Sequence, residues 1–255
     1  MRTDTQTVPF LDLGAQNGPL RDQLDAAIAR VVDGNAFVLG PALRSFEEAF
    51  AAYCEAPHCV GINSGTMALQ LMLQGAGIGP GDEVITAPNT FIATVEAVLA
   101  CGATPVLADV DPRTWLLDPE AAEAKITERT RALLPVHLYG FPCDLDALRA
   151  LARKHGLLLM EDAAQAHGAR YRGARIGHGS TAAAFSFYPG KNLGAFGDGG
   201  AVVTADPEMA RQVEALRHHG QLEKNRHALV GTTGRLDSLQ AAVLEVKLAH
   251  LDGWN

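Results

Sequence analysis

The side chains with the clearest chemical potential fall in one stretch, Phe185 to Gly200, which reads F-S-F-Y-P-G-K-N-L-G-A-F-G-D-G-G. An apolar strand is expected over Ala182 to Phe187, a Pro-Gly break follows, and the break presents Lys191. A Gly-rich return, Gly194 to Gly200, leads into a second apolar run, Ala201 to Thr204. A lysine on a tight turn between two buried strands meets the edge of a core. Burial there disfavours its charged form and leaves a more nucleophilic amine. Most lysines are solvated, so the glycines matter, because they let the backbone approach something closely. Ser186 supplies a hydroxyl nearby. Two nucleotide-binding patterns fail on this stretch. A G-x-x-x-x-G-K-[ST] loop needs glycine where the chain has Phe185 and a hydroxyl where it has Asn192. The spacing of Gly194, Gly197 and Gly199 reverses that of G-x-G-x-x-G. What remains is a lysine able to form a Schiff base.

Two other segments end in groups of the same kind. Ser64-Gly65-Thr66 follows the run Val60 to Ile62 and opens a helical pattern. Free amides at a helix start, with two hydroxyls, make an anion site. A plain Ser/Thr N-cap explains the triplet as well. Ser186 also ends a strand and can add its hydroxyl. Glu161-Asp162-Ala163-Ala164-Gln165 closes another apolar run. Adjacent strand residues face opposite ways, so only one of the two carboxylates can face a site. An N-cap is the competing use of Asp162. Gln165 falls on the same side of a helical turn. His167 fits a structural place equally well. His137, in P-V-H-L-Y-G, reads as a pocket-lining residue. Phe91, in P-N-T-F, sits at a helix start, where an aromatic is more often core.

Seven strands are expected to position these groups: Val60 to Ile62, Glu83 to Thr86, Pro105 to Asp109, Ala132 to Val136, Leu157 to Glu161, Ala182 to Phe187 and Ala201 to Thr204. After a short apolar lead-in, Val8 to Asp12, helical spacing is read over Leu20 to Val32. It recurs at Leu43, Phe46, Phe50 and Tyr53, and over Met67 to Gly75, Phe91 to Cys101, Leu145 to His155 and Leu236 to Leu251. Leu145 to His155 has Asp144 as N-cap, Lys154 and His155 at its negative end and Gly156 as a left-handed stop. Alternating strands and helices imply an α/β fold with a mainly parallel sheet covered on both faces, and sites at the carboxyl ends of strands. There is no internal repeat, low-complexity run or linker.

At 255 residues the chain can bury one large core, and its net charge of −8 has no basic cluster to offset it. Nucleic acid and anionic membranes are therefore poor partners. No apolar run approaches the roughly 20 residues of a membrane-spanning helix. Met1 to Asp12 is polar and lacks the shape of a signal peptide. Cys54, Cys59, Cys101 and Cys143 are irregularly spaced, as expected of reduced cytosolic thiols. A zinc set of Cys54, His58 and Cys59 can be drawn, but reduced, mostly buried thiols are the expectation.

Together, F-S-F-Y-P-G-K at Phe185 to Lys191, E-D-A-A-Q at Glu161 to Gln165 and S-G-T-M-A-L at Ser64 to Leu69 resemble the DegT/DnrJ/EryC1/StrS family of pyridoxal-phosphate sugar aminotransferases. The resemblance extends over essentially the whole chain. It implies the three-layer αβα large domain of fold-type-I transferases over residues 1–255, with an N-terminal helical arm over about 1–55. Family members continue into a smaller C-terminal domain, so the chain is expected to be partial. The implied cofactor is pyridoxal 5′-phosphate. Lys191 would be its Schiff-base anchor and proton shuttle, and Gly65, Thr66 and Ser186 would hold its phosphate. Asp162 would keep the pyridine nitrogen protonated, so that the ring accepts electrons. Gln165 would bond the phenolic oxygen, and Phe91 would stack on the ring.

Family dehydratases carry histidine at the lysine position, so Lys191 implies an aminotransferase. One segment departs from the family. In place of G-Y-N-x-R the chain has Gly231-Thr232-Thr233-Gly234-Arg235. The family asparagine reaches a partner subunit's phosphate, and Thr233 can donate the same bond over a shorter reach. The implied reaction moves an amino group from glutamate to a nucleotide-linked keto sugar in a cytoplasmic homodimer. A keto-cyclitol aminotransferase, or a truncated, non-catalytic member with a sensing role, is the alternative.

Overall fold

The computed structural model describes residues 8–255. The first seven residues, part of the polar stretch read as unlike a signal peptide, lie outside them. A seven-stranded sheet runs through the middle of the fold. Its strands are β1 (His58–Ile62), β2 (Glu83–Thr86), β3 (Thr104–Leu107), β4 (Thr130–Leu134), β5 (Leu158–Asp162), β8 (Ala182–Ser186) and β9 (Gly200–Thr204). Two small hairpins, β6 (Arg170–Tyr171) with β7 (Ala174–Arg175) and β10 (Gln221–Glu223) with β11 (Arg226–His227), stand outside it. The helices are α1 (Leu13–Asn17), α2 (Arg21–Gly34), α3 (Pro41–Tyr53), α4 (Gly65–Gly75), α5 (Ile92–Ala100), α6 (Pro119–Glu123), α7 (Leu145–His155), α8 (Pro207–Arg217), α9 (Ser238–Leu248) and α10 (Leu251–Trp254). All seven expected strands form, with ends shifted by no more than two residues. Helices α1, α6 and α8 and the two hairpins are additions to the expected elements, and the helix expected over Leu236 to Leu251 is α9, with α10 following it.

The strand order is β1-β9-β8-β5-β4-β2-β3. Strands β8, β5, β4, β2 and β3 pair in parallel, and β9 runs antiparallel to both β1 and β8. The carboxyl ends of six strands therefore share one edge with the start of β9. Gly200 sits in register with both Ile62 and Ser186, which brings the ends of β1 and β8 to either side of it.

Side-chain alternation feeds two cores, one per face. On β8, Ala183 and Phe185 join Phe46, Phe50, Leu148 and Leu244 of α3, α7 and α9. Ala182 and Ala184 join Leu69, Met72, Val98 and Val213 of α4, α5 and α8. This is the expected three-layer α/β arrangement. Beneath the turn that bears Lys191, Phe50 meets Phe185 and Phe187 edge-on, each at 5.2 Å between ring centres. Such contacts add about 1 kcal/mol each beyond area burial and hold the strand end rigid. Helix α7 has the caps its sequence promises: Asp144 Oδ1 accepts from the Ala147 amide at 3.2 Å, and Gly156 has φ 66°.

All four cysteines are free and buried. Among the described residues no group of three or more His, Cys, Asp or Glu is placed to hold a metal ion. No helix among them is long and apolar enough to cross a membrane.

Candidate active site

The shared edge of strand ends opens into a cavity of about 470 Å³. Seven of the eight residues singled out from the sequence line it: Gly65, Thr66, Phe91, Asp162, Gln165, Ser186 and Lys191. Thr233 does not. Its side chain is exposed, and its hydroxyl lies 3.2 Å from His219 Nε2.

The start of α4 forms one wall. Ser64 is the N-cap, its Oγ accepting from the Met67 amide at 3.1 Å, so the plain capping role belongs to Ser64 itself. The amides of Gly65 and Thr66 are first-turn donors without helical partners. A Cβ on Gly65 would fall 2.5 Å from Ser186 Cβ, so only glycine lets the helix start meet the end of β8. A Ser186 hydroxyl and the free first-turn amides thus converge, the chemistry of an anion cradle.

Lys191 follows on the Pro189-Gly190 turn, its amide bonded to the Tyr188 carbonyl at 2.8 Å. The return passes so close under the turn that a Cβ on Gly194 would strike the Pro189 carbonyl oxygen, which accounts for that glycine. Lys191 is partly buried. Burial pushes its ammonium below the usual lysine range, with the charge of Asp162 acting in the opposite sense. It is the one lysine among the cavity's lining residues.

Glu161 and Asp162 separate as strand parity requires. Asp162 faces the cavity and is 5% exposed. Its Oδ2 accepts from Thr94 Oγ1 at 2.7 Å and its Oδ1 from the Ala164 amide at 3.1 Å. Burial raises its pKa, and these hydrogen bonds and the charge of Lys191 oppose the rise. Glu161 points away, to His137 Nε2 at 2.9 Å, with both side chains fully buried. Burial acts to raise the Glu161 carboxyl, but the opposing interactions, led by the hydrogen bond from His137, outweigh it and hold it low.

His137 is a correction to the expectation of a pocket-lining residue. Its neighbours Val136 and Leu138 line the cavity, while the ring is committed to Glu161 and accepts the Cys143 amide at Nδ1, 3.1 Å away. Gln165 follows Asp162 on a turn rather than a helix, and its Oε1 accepts from the Tyr139 amide at 2.6 Å. That bond leaves the amide nitrogen to donate. Phe91 departs from the core habit of aromatics at a helix start: it is 72% exposed and lines the cavity. His167 is a core residue, packed on Phe50, Phe185 and Phe187. Burial, with the charge of Lys191 adding, lowers its ring to about 3, so it stays neutral.

Thr90, Thr94, Tyr188 and Asp198 also line the cavity and carry polar groups that no spacing rule singled out. The nearest available signal was their proximity in sequence to Phe91 and Lys191.

The sequence model of the DegT/DnrJ/EryC1/StrS aminotransferase family matches residues 20–255. This chain belongs to that family. It is 62% identical to the dTDP-3-amino-3,4,6-trideoxy-alpha-D-glucose transaminase of Streptomyces venezuelae, over 100% of this chain and 67% of that protein. It is 57% identical to the erythromycin biosynthesis sensory transduction protein EryC1 of Saccharopolyspora erythraea, over 97% of this chain and 68% of that protein. The crystal structure of S. venezuelae DesV in complex with a ketimine intermediate superposes with a TM-score of 0.96, covering 98% of this chain and 67% of that one at 62% identity. The structure of NtdA from Bacillus subtilis with bound cofactor PMP gives 0.91 at 32% identity, over 98% of this chain and 57% of that one. The chain thus spans about two thirds of the length of the curated relatives it matches.

DegT/DnrJ/EryC1/StrS members are fold-type-I enzymes, and the present sheet and layers have that architecture. The chain is a pyridoxal-phosphate-dependent sugar aminotransferase. The cavity fits this cofactor. It offers a partly desolvated amine, a buried carboxylate hydrogen-bonded by Thr94 and the Ala164 amide, and an anion cradle that a Cβ at position 65 would fill.

Proposed function

We propose that this chain transfers an amino group, from glutamate, to a keto sugar carried on a nucleotide, and that Lys191, Asp162, Gln165, Ser186, Gly65, Thr66 and Phe91 are its cofactor set. The observation that carries the reading is their convergence on one cavity from four separate strand ends. When bound, pyridoxal phosphate supplies an acceptor for the electron pair left on the substrate carbon as its proton departs. The chain's residues do the rest. Lys191 Nζ would hold the cofactor's aldehyde and, as a free amine, would carry the proton to and from the substrate carbon. Asp162 would keep a proton on the pyridine nitrogen. The Gln165 amide would donate to the phenolic oxygen, and Phe91 would stack on the ring. The Gly65 and Thr66 amides, with Ser186, would hold the phosphate. Relatives named as acting on dTDP- and UDP-linked sugars support the nucleotide-sugar class. A cytoplasmic homodimer, in which Thr233 serves the partner's site, completes the reading.

The test is an absorption spectrum of the purified chain with pyridoxal phosphate, before and after borohydride. A visible band, lost on reduction and mapped by peptide mass to Lys191, is the expected result. A screen of dTDP- and UDP-linked keto sugars with glutamate follows. No band in the wild type, or an unchanged band in Lys191→Ala, would sink the assignment.

A further inference from the structure

The cavity wall carries one series of hydrogen bonds that the cofactor set does not use. Thr90 Oγ1 and Thr94 Oγ1 lie 2.7 Å apart, and Thr94 Oγ1 lies 2.7 Å from Asp162 Oδ2. Thr94 is 1% exposed. A threonine hydroxyl has one proton to give, and an ionised carboxylate only accepts. The Thr94 proton therefore goes to Asp162, and Thr90 must donate to Thr94. The direction Thr90 to Thr94 to Asp162 holds as long as Asp162 carries its charge. Packing alone does not call for the hydroxyl, since valine has the same shape. A buried hydroxyl costs free energy that only such a bond recovers. Both threonines flank Phe91 at the start of α5.

We propose that Thr94, backed by Thr90, is a positioning residue for Asp162: its hydroxyl fixes the carboxylate's orientation and favours its ionised form where it meets the cofactor's pyridine nitrogen. One helical turn would then set both the ring face, through Phe91, and the ring nitrogen, through Asp162. Hydrogen bonds to a charged acceptor are among the stronger ones, more so away from water. Burial works against the Asp162 charge, and the Thr94 bond works for it. The inference rests on the cofactor reading above.

The test compares wild type with Thr94→Val, Thr94→Ser and Asp162→Asn, without and with pyridoxal phosphate. Without it, the Asp162 carboxyl is followed by 13C NMR against pH and assigned by its loss in Asp162→Asn. Thr94→Val is expected to raise the titration by about one to two pH units, and Thr94→Ser to leave it near wild type. With the cofactor, Thr94→Val is expected to weaken binding roughly tenfold to hundredfold, and Thr94→Ser to restore it. Should Thr94→Val fail to fold, Thr94→Ala carries the same comparison. A wild-type titration and affinity in the variant overturn the proposal alone. A shifted titration with unchanged affinity also overturns it, leaving a structural bond. A wild-type chain that binds no pyridoxal phosphate overturns the cofactor reading and the proposal together.

Discussion

Glu161 and Asp162 are neighbours on one strand with opposite employment. Asp162 presents its charge to the cavity, and Glu161 is spent on His137 behind the sheet. Asp162→Asn keeps the shape but removes the charge that would hold a proton on the ring nitrogen, so kcat is expected to fall about 10²–10³-fold. Glu161→Gln still accepts from His137. Its cost is expected in stability, about 1–3 kcal/mol by urea unfolding, with cofactor affinity within roughly threefold of wild type. Equal losses of activity from the two variants would mean the wrong carboxylate was chosen. The split was legible in the sequence because strand parity forbids both carboxylates from facing one way. His137 was not. Beyond the end of β4 the chain turns, Tyr139 takes φ 53°, and parity no longer predicts where a side chain goes. Thr94 was equally hidden, because a threonine inside a helical pattern carries no periodic signal of the partner it meets 68 positions away.

At the scale of elements, the Lys191 loop depends on a helix distant in sequence. Helix α9 grips the return at two points. Gln240 bonds both the amide and the carbonyl of Phe196, at 2.8 and 3.2 Å, and Lys247 Nζ donates to the Gly194 carbonyl at 2.6 Å. Lys247 is 1% exposed, and burial lowers its pKa to about 8. Its unfolded value lies near 10.4. Between these values the unfolded chain binds more protons than the native one, so this group makes stability rise with pH. Below pH 8 both states hold the proton and the full cost of the buried charge is felt. In Lys247→Met the slope between pH 8 and 10 should be lower by up to about 1.4 kcal/mol per pH unit. Urea midpoints at several pH values read it directly, and parallel curves for the two proteins would place the lysine's charge in water. Such a brace is invisible to pattern reading, which sees α9 only as an apolar stripe. Helix α7 shows the converse. Its cap, periodicity and stop lie within its own residues, and the expected span, Leu145–His155, is the observed one. The hairpins β6–β7 and β10–β11 have strands of only two or three residues, too short for alternation to register.

For the whole molecule, the layered sheet was legible because its strands are short apolar runs separated by capped helices, and the parallel rule then placed seven of the eight candidate cofactor residues on one edge. At the mouth of the cavity, large apolar side chains stand exposed. Phe91 and Tyr188 line it yet remain 72% and 59% exposed, and their sequence neighbours Ile92 and Phe187 divide sharply: Ile92 is 55% exposed while Phe187 is buried. Tyr139, beside the cavity-lining Leu138, is 88% exposed. Apolar surface gathered at the mouth of a site marks a place where another surface belongs. Thr233 lies outside the cavity of its own chain, so a contribution from it needs a second copy. The chain is therefore expected to be a homodimer at micromolar concentration, with a light-scattering mass twice that of the chain. Pyridoxal phosphate should tighten the association, because a ligand held by both subunits binds the dimer and not the separated chains. A monomer that binds the cofactor with undiminished affinity would remove the shared site and leave Thr233 without a role in it.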